Sequence, residues 1–122
     1  MIVIGDCGNV EAGQPTLTTS LRGIANVVVH VETLAGQVHS GVYGGGAAPD
    51  ALAALVRLLN TLRDEHGDTV VDGLDSTARW GGGVPYPEDR FRSDAGVLDG
   101  VSLLSSGSVA DAVWARPALS VV

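Results

Sequence analysis

The sequence predicts an α+β domain, an antiparallel sheet carrying helices on one face. Three features point there. In IANVVVHVETL, Val27, Val29 and Val31 fall on one side of an extended chain, while Asn26, His30 and Glu32 fall on the other. That period of two marks a half-buried strand. PDALAALVRLLNTLRDEHG, residues 49–67, repeats its leucines and valines at helical spacing, so one face of that helix is apolar and lies across a sheet. The 17 glycines and 5 prolines among 122 residues divide the chain into short elements with many turns.

Taken in order, MIVIGD is short, β-branched and closed by glycine, a buried strand opening onto the loop CGNVEAGQP. From Thr16 the chain is strand-like again, with Gly23 a bulge where the backbone bends. The helix that follows has Pro49 in its first turn, Asp50 at its positive end and Gly67 as its C-terminal cap. Leu52, Leu55, Val56, Leu59 and Leu62 form its apolar face, while Arg57, Arg63 and Asp64 are on the wet side. TVVDGLD supplies a short strand and turn. Residues 76–100 mix glycine, proline and charge, as an irregular insertion would, with one short helix from Glu88 to Ala95. SVADAVWARP is a short helix stopped at Pro117, and ALSVV begins a further strand. Both ends fall inside predicted strands, as in a piece of something larger.

Charge and composition exclude several functions. Against 14 acidic residues stand 7 basic ones, all arginine, for a formal charge of −7. A groove that neutralises phosphates would work against that field, so nucleic acid is not an expected partner. Without lysine there is neither Schiff-base chemistry nor a phosphate-loop cation. One cysteine makes no internal disulfide and no thiolate zinc site. The N-terminal stretch has no basic region or long apolar run, so neither a signal peptide nor a membrane span is expected, and the cytoplasm is the expected compartment.

VHSGVYGGGAAPDAL carries the most suggestive chemistry. Taken alone, His39 is either an exposed loop histidine or a member of a catalytic centre. Gly41, Gly44, Gly45 and Gly46 precede a helix, where anions bind. However, no G-K-[ST] follows and the dinucleotide spacing is not met, so the glycines serve tight turning. Cys7 in GDCGN is either packing or a nucleophile with His39 or His66 as its base. His30 sits on the polar side of a strand, and His66 at a helix end complements the dipole.

IGDCGNVEAGQPTLTTSLRGIANVVVHVETLAGQVHSGVYGGGAAPDALAALVRLLNTLRDEHG resembles the aminoacylase and carnosine-dipeptidase family of zinc metallopeptidases. SLRG and HSGVYGG at this spacing make the resemblance specific. It covers Ile4 to Gly67, and WARPALSVV, from Trp114 to Val122, resembles the family's next segment. The resemblance implies that residues 1–12 end a catalytic domain and that residues 13–122 form a truncated lid of the bacterial exopeptidase dimerisation type. That lid is ferredoxin-like. With some of its strands missing, the sheet would keep an unpaired edge that another chain covers, giving a homodimer.

By the same resemblance, Asp6 matches a carboxylate metal ligand of the parent enzyme, which holds two zincs per subunit. His39 matches the lid histidine that acts in trans, binding substrate or stabilising the oxyanion in the partner subunit. Arg22, Gly41, Gly44 and Gly45 are structural, Arg22 pairing an acidic group near the bulge. The family's histidine-x-aspartate and glutamate-glutamate motifs are missing, and so are its downstream ligand histidine and the asparagine and arginine of the later lid. The Asp64–Glu65–His66 run does not replace them. Asp6 alone holds no catalytic zinc, so the isolated chain is expected to be inactive, with no zinc tightly bound. The expected reaction of the parent, completed by the rest of the catalytic domain, is hydrolysis of a dipeptide or N-acyl amino acid. The alternative is a free-standing dimerisation or protein-interaction module without catalysis.

Overall fold

The computed structural model describes residues 8, 9, 11–44 and 46–122. Among them the elements are α1, Ala51–Asn60, α2, Glu88–Ala95, and a π-helical turn, Asp111–Ala115. Among the described residues the predicted sheet is absent, and the predicted strand MIVIGD lies outside them. Pairing among the described residues is confined to two isolated antiparallel bridges, Glu11 with Gln14 and Arg63 with Thr69. The expected antiparallel sheet with helices on one face, and with it the ferredoxin-like arrangement, is therefore overturned. The reason is physical. Alternation along a strand records a face that favours cover, but a ladder also needs a second backbone at hydrogen-bonding distance. Among the described residues no ladder forms along 17–30, and Val27 and Val28 are 80% and 79% exposed. TVVDGLD and ALSVV likewise form no strand.

α1 begins at Ala51, which leaves Pro49 just outside the helix and not in its first turn, and it stops earlier than the sequence suggests. Asp50 is extended and its Oδ1 accepts the Ala53 N–H at 2.7 Å, satisfying one of the free donors at the helix start. The end comes at Thr61, whose N–H and hydroxyl both donate to the Leu58 carbonyl, at 3.1 and 2.7 Å. The helix thus tightens into a last turn and is capped six residues before the expected cap. Gly67 instead closes a turn in which its N–H donates to the Asp64 carbonyl at 3.0 Å. Asp64 Oδ1 accepts the N–H groups of His66 and Asp68, an aspartate holding its own turn. The apolar face of α1 is only partly covered: Leu55 and Leu59 are half-buried, while Leu52 is 68% exposed. Among the described residues no sheet lies against it.

α2 occupies the residues the sequence assigns to it. Pro87 precedes it, Glu88 and Asp89 sit in its first turn, and Gly96 closes it in the left-handed conformation at φ 66°. The N–H groups of Gly96 and Val97 return to the Ser93 and Arg92 carbonyls, the double closure that a glycine permits. Tyr86 packs edge-on to Phe91 and stacks on Trp114, and Trp114 meets Trp80 at 5.1 Å. This aromatic row holds α2 and the 80–86 loop against the π-helical turn. No helix among the described residues is long and apolar enough to cross a membrane.

Candidate functional site

The His39 turn follows from its glycines. The His39 carbonyl accepts the N–H groups of Val42 and Tyr43, at 3.1 and 3.0 Å, so the chain folds back within five residues. A Cβ at Gly44 would stand 2.5 Å from the Ser40 carbonyl oxygen, an approach only glycine allows. His39 is exposed at this turn. Its Nδ1 accepts the Gly41 N–H at 3.2 Å. A ring nitrogen that accepts carries no proton, so the neutral ring bears its hydrogen on Nε2, which is free to donate outward.

A second constellation lies at the buried centre and was not anticipated. Arg116, 3% exposed, donates through one terminal nitrogen to both oxygens of Asp68, at 3.1 and 3.0 Å, and to the hydroxyls of Ser105 and Ser106. Its Nε donates to the Ala78 carbonyl at 3.1 Å. Asp68, 7% exposed, also accepts the N–H and hydroxyl of Ser106, at 2.8 and 2.6 Å. Burial pushes the Asp68 carboxyl up, but the Ser106 hydrogen bonds and the Arg116 guanidinium outweigh it and hold the group well below the usual carboxylate range.

Beside it, Asp111 accepts the Trp80 N–H at 2.7 Å, the Ser108 N–H at 2.9 Å and an Arg79 nitrogen at 3.1 Å. The Trp80 and Ser108 amides hold its carboxyl below the ordinary range too. Ser108 Oγ in turn accepts the Asp111 N–H at 3.1 Å. That reciprocal pair is a capping box, and S-V-A-D at 108–111 was the sequence signal that would have found it. Gly107 is needed here, because a Cβ would stand 2.7 Å from the Arg116 guanidinium. Ser105 has a positive φ of 102°, a strained conformation for serine. Its N–H donates to the His66 carbonyl at 2.8 Å.

The structure does not bring the sequence-predicted residues into one centre. Arg22 donates to the Arg116 carbonyl at 3.4 Å; it pairs with a backbone oxygen and not with the acidic group expected. Gly41 and Gly44 shape the His39 turn. Asp6, Cys7 and Gly45 lie outside the described residues. His66 sits 3.7 Å from Glu65 at the turn after α1, and His30 is exposed on the extended segment. Among the described residues no three His, Cys, Asp or Glu side chains stand close enough to hold a metal ion.

The chain aligns over its whole length with the cysteinylglycine-S-conjugate dipeptidase of Corynebacterium striatum, at 55% identity over 124 positions, and spans 27% of that relative. Two yeast relatives match over shorter stretches. The Cys-Gly metallodipeptidase of Schizosaccharomyces pombe is 30% identical over 60% of this chain and 15% of its own length. That of Saccharomyces cerevisiae is 34% identical over 51% of this chain and 13% of its own. No family model matches, and no solved structure matches. The relatives are dipeptidases, two of them metallodipeptidases by name. The chain is homologous to part of them, and the resemblance to the aminoacylase and carnosine-dipeptidase family of metallopeptidases is borne out.

Proposed function

We propose that this chain is the lid and dimerisation part of a zinc-dependent metallodipeptidase acting on Cys-Gly-type dipeptides, with residues 13–122 as the lid. It brings His39 to the active site of a second subunit in a homodimer. The 55% identity along the whole chain to a dipeptidase of which it spans about a quarter supports this reading. The exposed turn and the outward Nε2–H of His39 support the role of a donor to the carbonyl oxygen of the scissile peptide. Such a donor gains strength as negative charge develops on that oxygen, so it lowers the barrier more than it aids binding.

The zinc ions fall to the rest of the enzyme. The described residues do not fit a metal centre, and no chemical step in this chain runs through one. Asp6 is the single residue we assign toward the metal. The cytoplasm is the compartment we assign to the enzyme.

Subunit complementation tests the reading in the complete dipeptidase that carries this sequence. His39→Ala lowers kcat by about 10²- to 10³-fold with metal content unchanged. Asp6→Ala is inactive through loss of metal. In a mixture of the two variants, half the dimers are hybrids and each hybrid owns one intact site, so about a quarter of the wild-type rate returns. Recovery of no activity would show that His39 does not act across the subunit boundary. Unchanged turnover in His39→Ala would reject its role altogether and favour a free-standing interaction module.

A further inference from the structure

The bond that restrains the His39 ring comes from the backbone two residues further on. Gly41 N–H points at Nδ1 from 3.2 Å, while the His39 carbonyl is already occupied by the Val42 and Tyr43 N–H groups. The turn therefore fixes the base of the side chain and one edge of the ring together. The space over Gly41 is filled by the ring itself: a Cβ there would stand 3.2 Å from His39 Cε1 and 3.4 Å from Nδ1. A side chain at 41 would push the ring off its bond. Gly41 has no positive φ, so its lack of a side chain answers to this approach and not to an unusual backbone.

We infer that Gly41 is a positioning residue: its amide selects the Nε2–H tautomer of His39 and aims that N–H outward, so that the ring meets a carbonyl oxygen as a donor. The inference rests on the proposed role of His39. In water a neutral imidazole carries its proton on either nitrogen, and only one of these forms offers a donor at the outer edge. Preorganisation of this kind is what an oxyanion donor requires, because the cost of orienting it is met before substrate arrives. The ligand chemistry is that of a peptide carbonyl. A metal ion would make no use of an outward N–H, because it binds the unprotonated nitrogen.

The test removes the amide hydrogen and reads the ring directly. Imidazole nitrogen NMR on the full 122-residue chain with ¹⁵N-labelled histidine distinguishes the tautomers of His39, assigned by comparison with His39→Ala. The wild type is expected in the Nε2–H form. Replacing Gly41 by glycolic acid, which turns the amide into an ester and leaves the shape intact, should shift the tautomer ratio about five-fold, the worth of one net hydrogen bond. Gly41→Ala keeps the N–H but crowds the ring away from it, so its tautomer ratio should move in the same direction as that of the ester. An unchanged ratio in the ester variant overturns the inference.

Turnover in the complete enzyme separates this inference from the role on which it rests. Gly41→Pro also lacks the N–H and should lower kcat by about ten-fold or more, with KM and metal content held. If His39→Ala is inactive while both the proline and the ester variants turn over normally, the tautomer inference fails and the role of His39 stands. If His39→Ala turns over normally, the role itself fails, whatever the spectrum shows.

Discussion

Arg116 and Asp68 are the side chains on which the interior turns. Each sits in a place where charge is costly; Asp68 accepts from Arg116 and Ser106, and Arg116 donates to Asp68, Ser105, Ser106 and Ala78. Removing one partner strands the other, so Arg116→Ala or Asp68→Ala should lose about 3–5 kcal/mol of stability, read by urea unfolding. Replacing both with apolar residues of similar volume should cost less than either single change. The pH dependence has a fixed sign. Both Asp68 and Asp111 bind protons less readily folded than unfolded, so acid favours the unfolded chain. Their contribution is intact above the ordinary aspartate range and is lost progressively as pH falls through and below it. Acid titration followed by circular dichroism should therefore show weakening from about pH 5 downward, with a shallower slope in Asp68→Asn.

Among the elements, those that could be read from the sequence are those whose causes are local. Asp50 caps α1 through an oxygen three residues from the N–H it accepts, and Asp50→Ala should cost about 1 kcal/mol, measurable as lost helix signal and earlier unfolding. α2 was legible at both ends because Pro87 and Gly96 act within one turn of themselves. The end of α1 was not, because Gly67 offered a plausible cap while Thr61 turned back onto Leu58 first. That the predicted strands would not pair was not legible at all. Val27, Val29 and Val31 alternate correctly, yet alternation says nothing about whether a neighbouring backbone is present. The buried ion pair was hidden for a related reason, since Asp68 and Arg116 are 48 positions apart and no spacing rule links them. His39 was singled out by its motif, and the role proposed for Gly41 toward it needed the ring's geometry.

At the scale of the whole molecule, Leu17, Leu21, Ile24, Val27 and Val28 stand exposed along one extended run. Apolar surface gathered in this way marks contact with another body. Under the proposed function that body is a second subunit, and the chain should sediment as a dimer at high micromolar concentration. A strictly monomeric species there would count against the proposal. Substituting Leu21 and Val28 together by serine should weaken association while the Arg116 cluster, which neither residue joins, keeps its unfolding midpoint.

The centre of this molecule is ionic where most small proteins are oily. Hydrocarbon newly wetted on denaturation is what gives ordinary domains their large heat-capacity increment, about 12–15 cal/mol/K per residue, and wetted polar groups subtract from it. Among the described residues that are buried, Ala110 alone is apolar, beside Asp68, Thr69, Asp111 and Arg116. Calorimetry should accordingly find an increment well under that norm and a stability curve that stays flat across temperature, so that cooling does little to loosen the chain.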